Sequence, residues 1–115
     1  MNDHLLVNLD DLSGGTVLVG PRGSDGMIRT NDMMLGFNRN DRPWESEMHY
    51  HERSKEIYIM LKGGLTFKIR DESVQVKSGQ MLVVGEGVPH DIEDFDLPIE
   101  FITIRAPAVE DKVVL

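Results

Sequence analysis

One stretch of the sequence decides the fold, and it reads EMHYHERSKEIYIMLKGGLTFKI over residues 47–69. Near its end, apolar positions 65, 67 and 69 alternate with polar positions 66 and 68. A period of two is typical of a β-strand with one buried and one solvent-facing side. The same period places His49 and His51 on one face of an earlier strand, since side chains at i and i+2 point to the same side. The stretch therefore predicts β-strands, and it brings two imidazoles close together.

Short strands of this kind are predicted along most of the chain, with glycine-rich turns between them. The pattern predicts strands at 16–19, 33–37, 47–51, 57–61, 65–69, 73–77, 80–84 and 99–104, with terminal strands at 5–9 and 112–115. Residues 62–64 and 70–72 are each predicted to connect a hairpin. No window has the 3.6-residue apolar period of a helix, so we predict an all-β sandwich or jelly-roll barrel.

The composition limits the class of protein. The chain has 115 residues, about the length of one domain, and we expect a single domain over residues 1–115. Its net charge of −8 would repel nucleic acid and anionic lipid, so neither partner is expected. The N-terminus lacks a signal-peptide pattern and no apolar run is long enough to span a bilayer, so a cytoplasmic protein is expected. Because there is no cysteine, any metal ion must be held by histidine and carboxylate.

Four potential metal ligands and several glycines occur at characteristic spacings. The pattern His49-x-His51-x4-Glu56-x6-Gly63 resembles the first motif of the cupin superfamily, and Gly79-x5-Gly85-x-Gly87-x2-His90 resembles the second. The resemblance implies a double-stranded β-helix barrel that holds one divalent metal ion per chain. The ligands that it implies are His49, His51, Glu56 and His90. The metal stays open among Fe, Mn, Zn, Ni, Co and Cu, because all of them accept imidazole and carboxylate ligands.

The sequence departs from the usual cupin motifs at three positions. Pro43 stands where the first motif usually opens with glycine, Gly85 replaces the usual proline of the second motif, and Asp94 replaces a frequent asparagine. None of these positions is an implied ligand, so the departures affect the assignment to a subfamily and leave the ligand set intact.

Glu47 is the candidate catalytic residue, because it lies two positions before His49 and shares its strand face. It could orient an imidazole or act as a general base at the pocket mouth. The alternative is that the end of this strand is solvent-exposed and Glu47 has neither role.

A substrate pocket is expected inside the barrel beside the ligands. Tyr58 and Met60 have the same strand parity as Glu56 and should point inward. The residues predicted to line the pocket are Phe37, Tyr58, Met60 and Met81, with Met33 and Leu35 as further candidates. The seven methionines could indicate a soft copper site, but they are more typical of core gap-fillers. Arg39, Arg42 and Trp44 could rim the mouth and attract a carboxylate substrate, or could belong to a solvated loop.

Two functions remain open at the level of sequence. The first is a small metal-dependent enzyme of the dioxygenase, isomerase or lyase type that acts on a small polar organic substrate. The second is a non-catalytic ligand-binding or sensing module whose metal site is structural or vestigial. A homodimer is expected in both cases, because open strand edges favour pairing and small cupins are frequently dimers.

Overall fold

The structure, a computed structural model, describes residues 4–21 and 27–115. Among these residues it contains β-strands and one short 3-10 helix, Leu9–Asp11, which confirms the all-β prediction. The strands are β1 Gly14–Gly20, β2 Ile28–Arg29, β3 Met34–Asn40, β4 His49–His51, β5 Lys55–Ile69, β6 Glu72–Lys77, β7 Met81–Val84, β8 His90–Ala106 and β9 Lys112–Val114. None of the helical structure in the described part of the chain could span a membrane.

The strands form one strongly coiled sheet in which β5 and β8 are the longest members. Along one path the order is β2-β1-β3-β8-β4-β9, and β5 pairs with β6, β7 and β8. The antiparallel β5–β8 ladder runs from Lys55 opposite Ala106 to Ile69 opposite His90, and it includes Glu56 opposite Arg105. Opposite residues of an antiparallel pair point to the same face. The ladder therefore fixes which side chains of both strands face the interior.

The predicted hairpin at residues 62–64 is wrong, because β5 continues through these residues as one strand. The register against β8 shifts on both sides of Lys62, which is the signature of a β-bulge. Gly63 has a φ of +70°, and a Cβ atom there would collide with the carbonyl oxygens of Asp96 and Pro98. The bulge changes the inward parity of the strand, so that Met60 before it and Leu65 after it are both buried.

The other turn prediction is confirmed, since β5 and β6 form a hairpin in which Ile69 lies opposite Glu72. The predicted N-terminal strand is wrong: residues 4–8 form no strand, and the 3-10 helix follows them. Arg39 fixes the segment around this helix by donating to the carbonyl oxygens of Leu9, at 3.2 Å, and Leu12, at 3.0 Å. At the other end of the chain, β9 confirms the C-terminal strand.

The hydrophobic core fills the part of the barrel around the second half of β5. Its buried members are Tyr58, Met60, Leu65, Phe67, Val76, Val84, Ile99 and Phe101. Burying a side chain such as Phe67 or Leu65 completely contributes about 1.5–3 kcal/mol each. Tyr58 lies at the border of this core, and its hydroxyl points to a cluster of polar side chains.

Candidate metal centre

The candidate metal centre is formed by three strands. His49 and His51 lie on β4, Glu56 lies near the start of β5, and His90 is the first residue of β8. Ligand atoms of His49, His51 and Glu56 all lie within 4.8 Å of one another, so these residues could hold a metal ion. His90 joins them, because its Nε2 atom is 2.8 Å from Glu56 Oε1 and its ring centroid is 4.3 Å from that of His49. The fold thus brings all four sequence-predicted ligands together.

Each of the three imidazoles is oriented by a hydrogen-bond acceptor at its Nδ1 atom. The acceptors are Glu47 O for His49 at 2.8 Å, Asp111 Oδ1 for His51 at 2.9 Å, and Val88 O for His90 at 2.9 Å. A carbonyl oxygen or an ionised carboxylate only accepts, so Nδ1 carries a proton in all three rings, and a neutral ring then has its lone pair on Nε2. His90 also contacts Glu56 Oε1 through Nε2, and in the metal-free protein it holds a proton on both nitrogens. These contacts fit a metal centre, because imidazole ligands normally donate their second N–H to such an acceptor.

Glu56 presents its two oxygens differently. Its Oε1 atom accepts from Tyr58 Oη at 2.7 Å and from His90 Nε2 at 2.8 Å, whereas Oε2 is 3.6 Å from His51 Nε2. Burial alone would raise the pKa of Glu56, but hydrogen bonds from His90 and Tyr58 outweigh it and lower that pKa. The carboxylate is therefore ionised near neutral pH, as metal ligation requires.

The pKa values of three residues around Glu56 are also shifted. Burial lowers the pKa of His90, but its hydrogen bonds to Glu56 and Val88 outweigh that effect, and the net shift is upward. Burial, followed by the charge of Glu56, raises the pKa of Tyr58 well above its usual value, so its hydroxyl stays a donor. Burial lowers the pKa of His49. The charges in the centre are thus arranged around one ionised carboxylate.

A cavity of about 350 Å³ opens beside these residues, and His49, His51, Glu56 and Tyr58 form part of its wall. The remaining lining residues are Met34, Asn38, Trp44, Ser46, Ile92, Phe101, Thr103, Arg105 and Lys112. A neighbouring cavity of about 500 Å³ shares Trp44, Ser46, His49 and Lys112 with it and also contacts Glu45 and Glu47. The two cavities therefore adjoin, and we call the second one the mouth cavity.

The four predicted pocket residues occupy four different environments. Tyr58 lines the cavity, whereas Met60 is 1% exposed and belongs to the core. Phe37 is also 1% exposed, but it lies opposite Ile102, on the face of the sheet away from Met34 and Asn38. Met81 is 60% exposed and lies opposite Ile59, so it faces away from the interior and does not line the cavity.

The residues predicted to lie at the mouth are also found in different places. Trp44 lines both cavities and packs edge-on against Phe95 with ring centroids 4.7 Å apart. Arg39 instead binds the N-terminal segment and Glu100, and Arg42 is exposed. The Glu47 side chain is exposed at the mouth, 3.9 Å from Lys112 Nζ, and it is the backbone carbonyl of Glu47 that orients His49.

Sequence reasoning missed two charged residues near the centre, Asp111 and Arg105. Asp111 is buried and contacts His51 from the segment that precedes β9. No motif or periodicity identifies an aspartate that lies 60 residues away from its histidine. Arg105 could have been found, because extending the parity of the predicted strand 99–104 by one residue places it on the inward face with Thr103.

Residues 42–105 match the family described as Cupin domain, which is more than half of the chain, and the chain therefore belongs to this family. This match confirms the resemblance identified from the two motifs. Asp111 and β9 lie outside the matched residues.

Similar structures confirm the double-stranded β-helix. A protein with a double-stranded beta-helix domain from Klebsiella pneumoniae is 16% identical, with a TM-score of 0.68 over 97% of both chains. The DMSP lyase DddQ from Ruegeria pomeroyi is 19% identical, with a TM-score of 0.70 over 87% of this chain and 50% of the lyase. In sequence, 79 residues are 27% identical to the probable arabinan endo-1,5-alpha-L-arabinosidase C of Aspergillus terreus. That alignment covers 69% of this chain and only 24% of the curated relative.

Proposed function

We propose that this cupin holds one divalent transition metal ion through His49, His51, Glu56 and His90, and is a metal-dependent enzyme. The reaction is of the dioxygenase, isomerase or lyase type on a small polar organic substrate. The observation that carries the proposal is the convergence of His49, His51 and Glu56 ligand atoms within 4.8 Å on the wall of an open cavity. A structural site needs no such cavity, whereas a catalytic site needs room for a substrate beside the ligands.

The ion, when bound, supplies a Lewis acid that polarises a substrate oxygen and stabilises negative charge. Tyr58 keeps Glu56 in place, because its buried hydroxyl donates to Oε1 and leaves Oε2 directed to the His51 side. The backbone carbonyl of Glu47 orients the ring of His49 at the mouth. The carboxylate of Glu47, on the wall of the mouth cavity, is our candidate for moving a proton to or from a substrate atom.

The cavity favours a small ligand that carries polar or anionic groups. Its volume of about 350 Å³ is near the lower end of the roughly 300–1,000 Å³ typical of small-molecule pockets. Arg105 and Lys112 contribute positive charge to the wall, and Asn38 and Thr103 contribute neutral hydrogen-bonding groups. Trp44 and Phe101 give the same cavity an apolar side, on which the carbon skeleton of a substrate can pack.

The first test is the metal content of protein purified without a metal-binding affinity tag. We expect about one divalent ion per chain and a large loss in His49→Ala and His90→Ala. His4→Ala is the matched control, because it removes an exposed imidazole that does not line the cavity. Full metal content in both site variants would contradict the proposed centre.

The second test separates an enzyme from a binding module. Metal-loaded and chelator-treated protein are compared on a panel of small carboxylic acids, hydroxy acids and sugars, in air and under nitrogen. Turnover that depends on the metal and is lost in Glu56→Ala supports the enzyme. Ligand-induced stabilisation without turnover supports the alternative, a non-catalytic sensing cupin.

A further inference from the structure

Asp111 is a buried carboxylate that the metal-ligand set does not use. Its side chain is fully buried, and it lies immediately before β9, outside the residues that match the cupin family. Four groups surround it: His51 Nδ1 at 2.9 Å and Arg105 Nη1 at 3.4 Å on Oδ1, and Ser54 Oγ at 2.7 Å and the Arg53 backbone N at 2.9 Å on Oδ2. The two arginine groups can only donate, whereas the single Ser54 hydroxyl proton is shared between Asp111 and the carbonyl oxygen of Pro107, 2.8 Å from Oγ.

A fully buried carboxylate is costly unless its charge is paired and hydrogen-bonded. Burial would raise the pKa of Asp111, but the hydrogen bonds from Ser54, His51 and the Arg53 amide outweigh it and hold that pKa well below its usual value. The Arg53 amide and the Arg105 guanidinium can only donate, and they contact the two oxygens of Asp111. They stabilise the ionised carboxylate, which can only accept. It follows that His51 must carry its proton on Nδ1, the atom that faces Asp111.

We propose that Asp111 is a positioning residue that fixes the tautomer and orientation of His51, so that Nε2 is the atom presented to a metal ion. This inference rests on the metal-binding function proposed above, and it adds a residue outside the cupin motifs. The adjacent strand supports it, because β9 pairs with β4 from His51 opposite Lys112 to His49 opposite Val114. The same C-terminal segment therefore aligns the ligand strand and holds one of its imidazoles.

The substitution Asp111→Asn gives a specific expectation, because an amide has one accepting and one donating end. The backbone N–H of Arg53 cannot reverse its role, and at 2.9 Å from Oδ2 it outweighs the longer contact of 3.4 Å between Arg105 Nη1 and Oδ1. The asparagine oxygen is therefore expected to replace Oδ2. The NH₂ group then faces His51 Nδ1, which must become the acceptor, so the proton moves to Nε2. An imidazole protonated on Nε2 has no lone pair there for a metal ion.

Nitrogen-15 NMR of the imidazoles in metal-free protein tests this directly, at a pH at which the rings are neutral. We expect the Nδ1–H tautomer of His51 in the natural protein and the Nε2–H tautomer in Asp111→Asn. A natural protein whose His51 carries its proton on Nε2 would overturn the inference, whether or not the variant folds. Because this measurement needs no metal, it is independent of the proposed function.

Titration with Co²⁺, followed by its absorption spectrum, supplies the second measurement. Loss of a group that orients a metal-bound histidine typically lowers affinity by about 10- to 100-fold, and we expect a loss in that range for Asp111→Asn. Glu100→Gln is the control, a matched carboxylate-to-amide change in the Arg39–Glu100 pair. This control should keep the natural affinity.

Unchanged Co²⁺ affinity in a folded Asp111→Asn variant would overturn the inference. An equal loss of affinity in Glu100→Gln would also overturn it, because that result would indicate a general effect of destabilisation. A natural protein that binds no Co²⁺ would instead contradict the proposed function. In that case the tautomer of His51 still decides whether Asp111 orients this ring.

Discussion

Tyr58 joins the hydrophobic core to the candidate metal centre through a single side chain. Its ring packs against Phe67 with centroids 4.7 Å apart, while its hydroxyl donates to Glu56 at 2.7 Å. A residue with one apolar and one hydrogen-bonding part can serve both environments. The position of the carboxylate in the centre is thus coupled to the packing of the barrel interior.

Tyr58→Phe keeps the ring and removes this hydrogen bond. Because a buried acceptor then loses one of its donors, we expect the metal-free protein to lose about 1–3 kcal/mol of unfolding free energy. Urea denaturation measures the change. Tyr50→Phe is the matched control, since Tyr50 lies between His49 and His51 on the opposite face of β4. An equal loss in the two variants would show that the hydrogen bond to Glu56 is not its cause.

Metal affinity should depend on pH because of His90. The pKa of His90 is raised, since its hydrogen bond to Glu56 outweighs burial, so the metal-free protein retains the Nε2 proton to a higher pH than a free imidazole does. A ligand must be deprotonated, and binding therefore releases a proton. We expect affinity to fall as pH decreases through this pKa. Calorimetry in buffers of different ionisation enthalpy measures the release, and a pH-independent affinity between pH 5 and 8 would contradict it.

At the scale of residues, the two cupin motifs were sufficient to predict that the four candidate ligands lie together. Two imidazoles at i and i+2 on a strand share a face, and the glycines fix how the later His90 returns to them. Asp111 could not be predicted, because its contact with His51 depends on how the C-terminal segment crosses β4. The prediction that Met81 points inward differs from the structure, in which this side chain is exposed, because parity within one short strand does not tell which of its two faces is buried.

Among the elements, β5 shows how one residue type can indicate two different structures. The pair Gly63-Gly64 is typical of a hairpin turn, and the sequence alone predicts one there. In the folded chain these glycines allow a bulge in a continuous strand, because β8 passes so close that a side chain at 63 would meet its carbonyl oxygens. Only the partner strand distinguishes a turn from a bulge, and pairing with β8 is not visible in local sequence.

Gly63→Ala should therefore be strongly destabilising. Alanine at this position must adopt the left-handed conformation of Gly63, which costs about 1–2 kcal/mol. Its Cβ atom also forces two backbones apart, at a cost of about 1–3 kcal/mol. Gly79→Ala is the control: its φ is +86°, but a Cβ atom there meets nothing within 4 Å. Urea denaturation should show a larger loss for Gly63→Ala, and equal losses would remove the close approach to β8 as the reason.

For the whole molecule, we expect the barrel to stay folded without metal. The core around Phe67 and Leu65 includes none of the three imidazoles. A chain of this length also buries enough surface to fold without a bound metal ion. Circular dichroism of chelator-treated protein should show β-structure. Adding back metal at about 100 times its dissociation constant should stabilise the fold by about 2.7 kcal/mol, seen as a higher melting temperature. A disordered spectrum of the metal-free protein would show instead that the ion is required for folding.

The expected homodimer also belongs to this scale. Strand β9 pairs with β4 on one side and ends the described strand order, and it exposes Val114 and the adjoining Leu115 at 50% and 67%. Apolar side chains on an edge strand favour pairing with a second chain. Light scattering should give twice the chain mass of 13.0 kDa, and Val114→Lys should weaken the association. A stable monomer at micromolar concentration would contradict this prediction.

The coiling of β8 has a consequence for the order of events in folding. His90 and Arg105 stand at opposite ends of this strand, which would be about 50 Å apart if it were straight. Both nevertheless lie beside Glu56, one through a hydrogen bond and the other as its partner in the ladder. His90 therefore joins the other three ligands only after the barrel has closed, and closure through such distant contacts is slow. An ion that needs all four ligands binds after this step, so its stabilising effect should be found in a slower rate of unfolding.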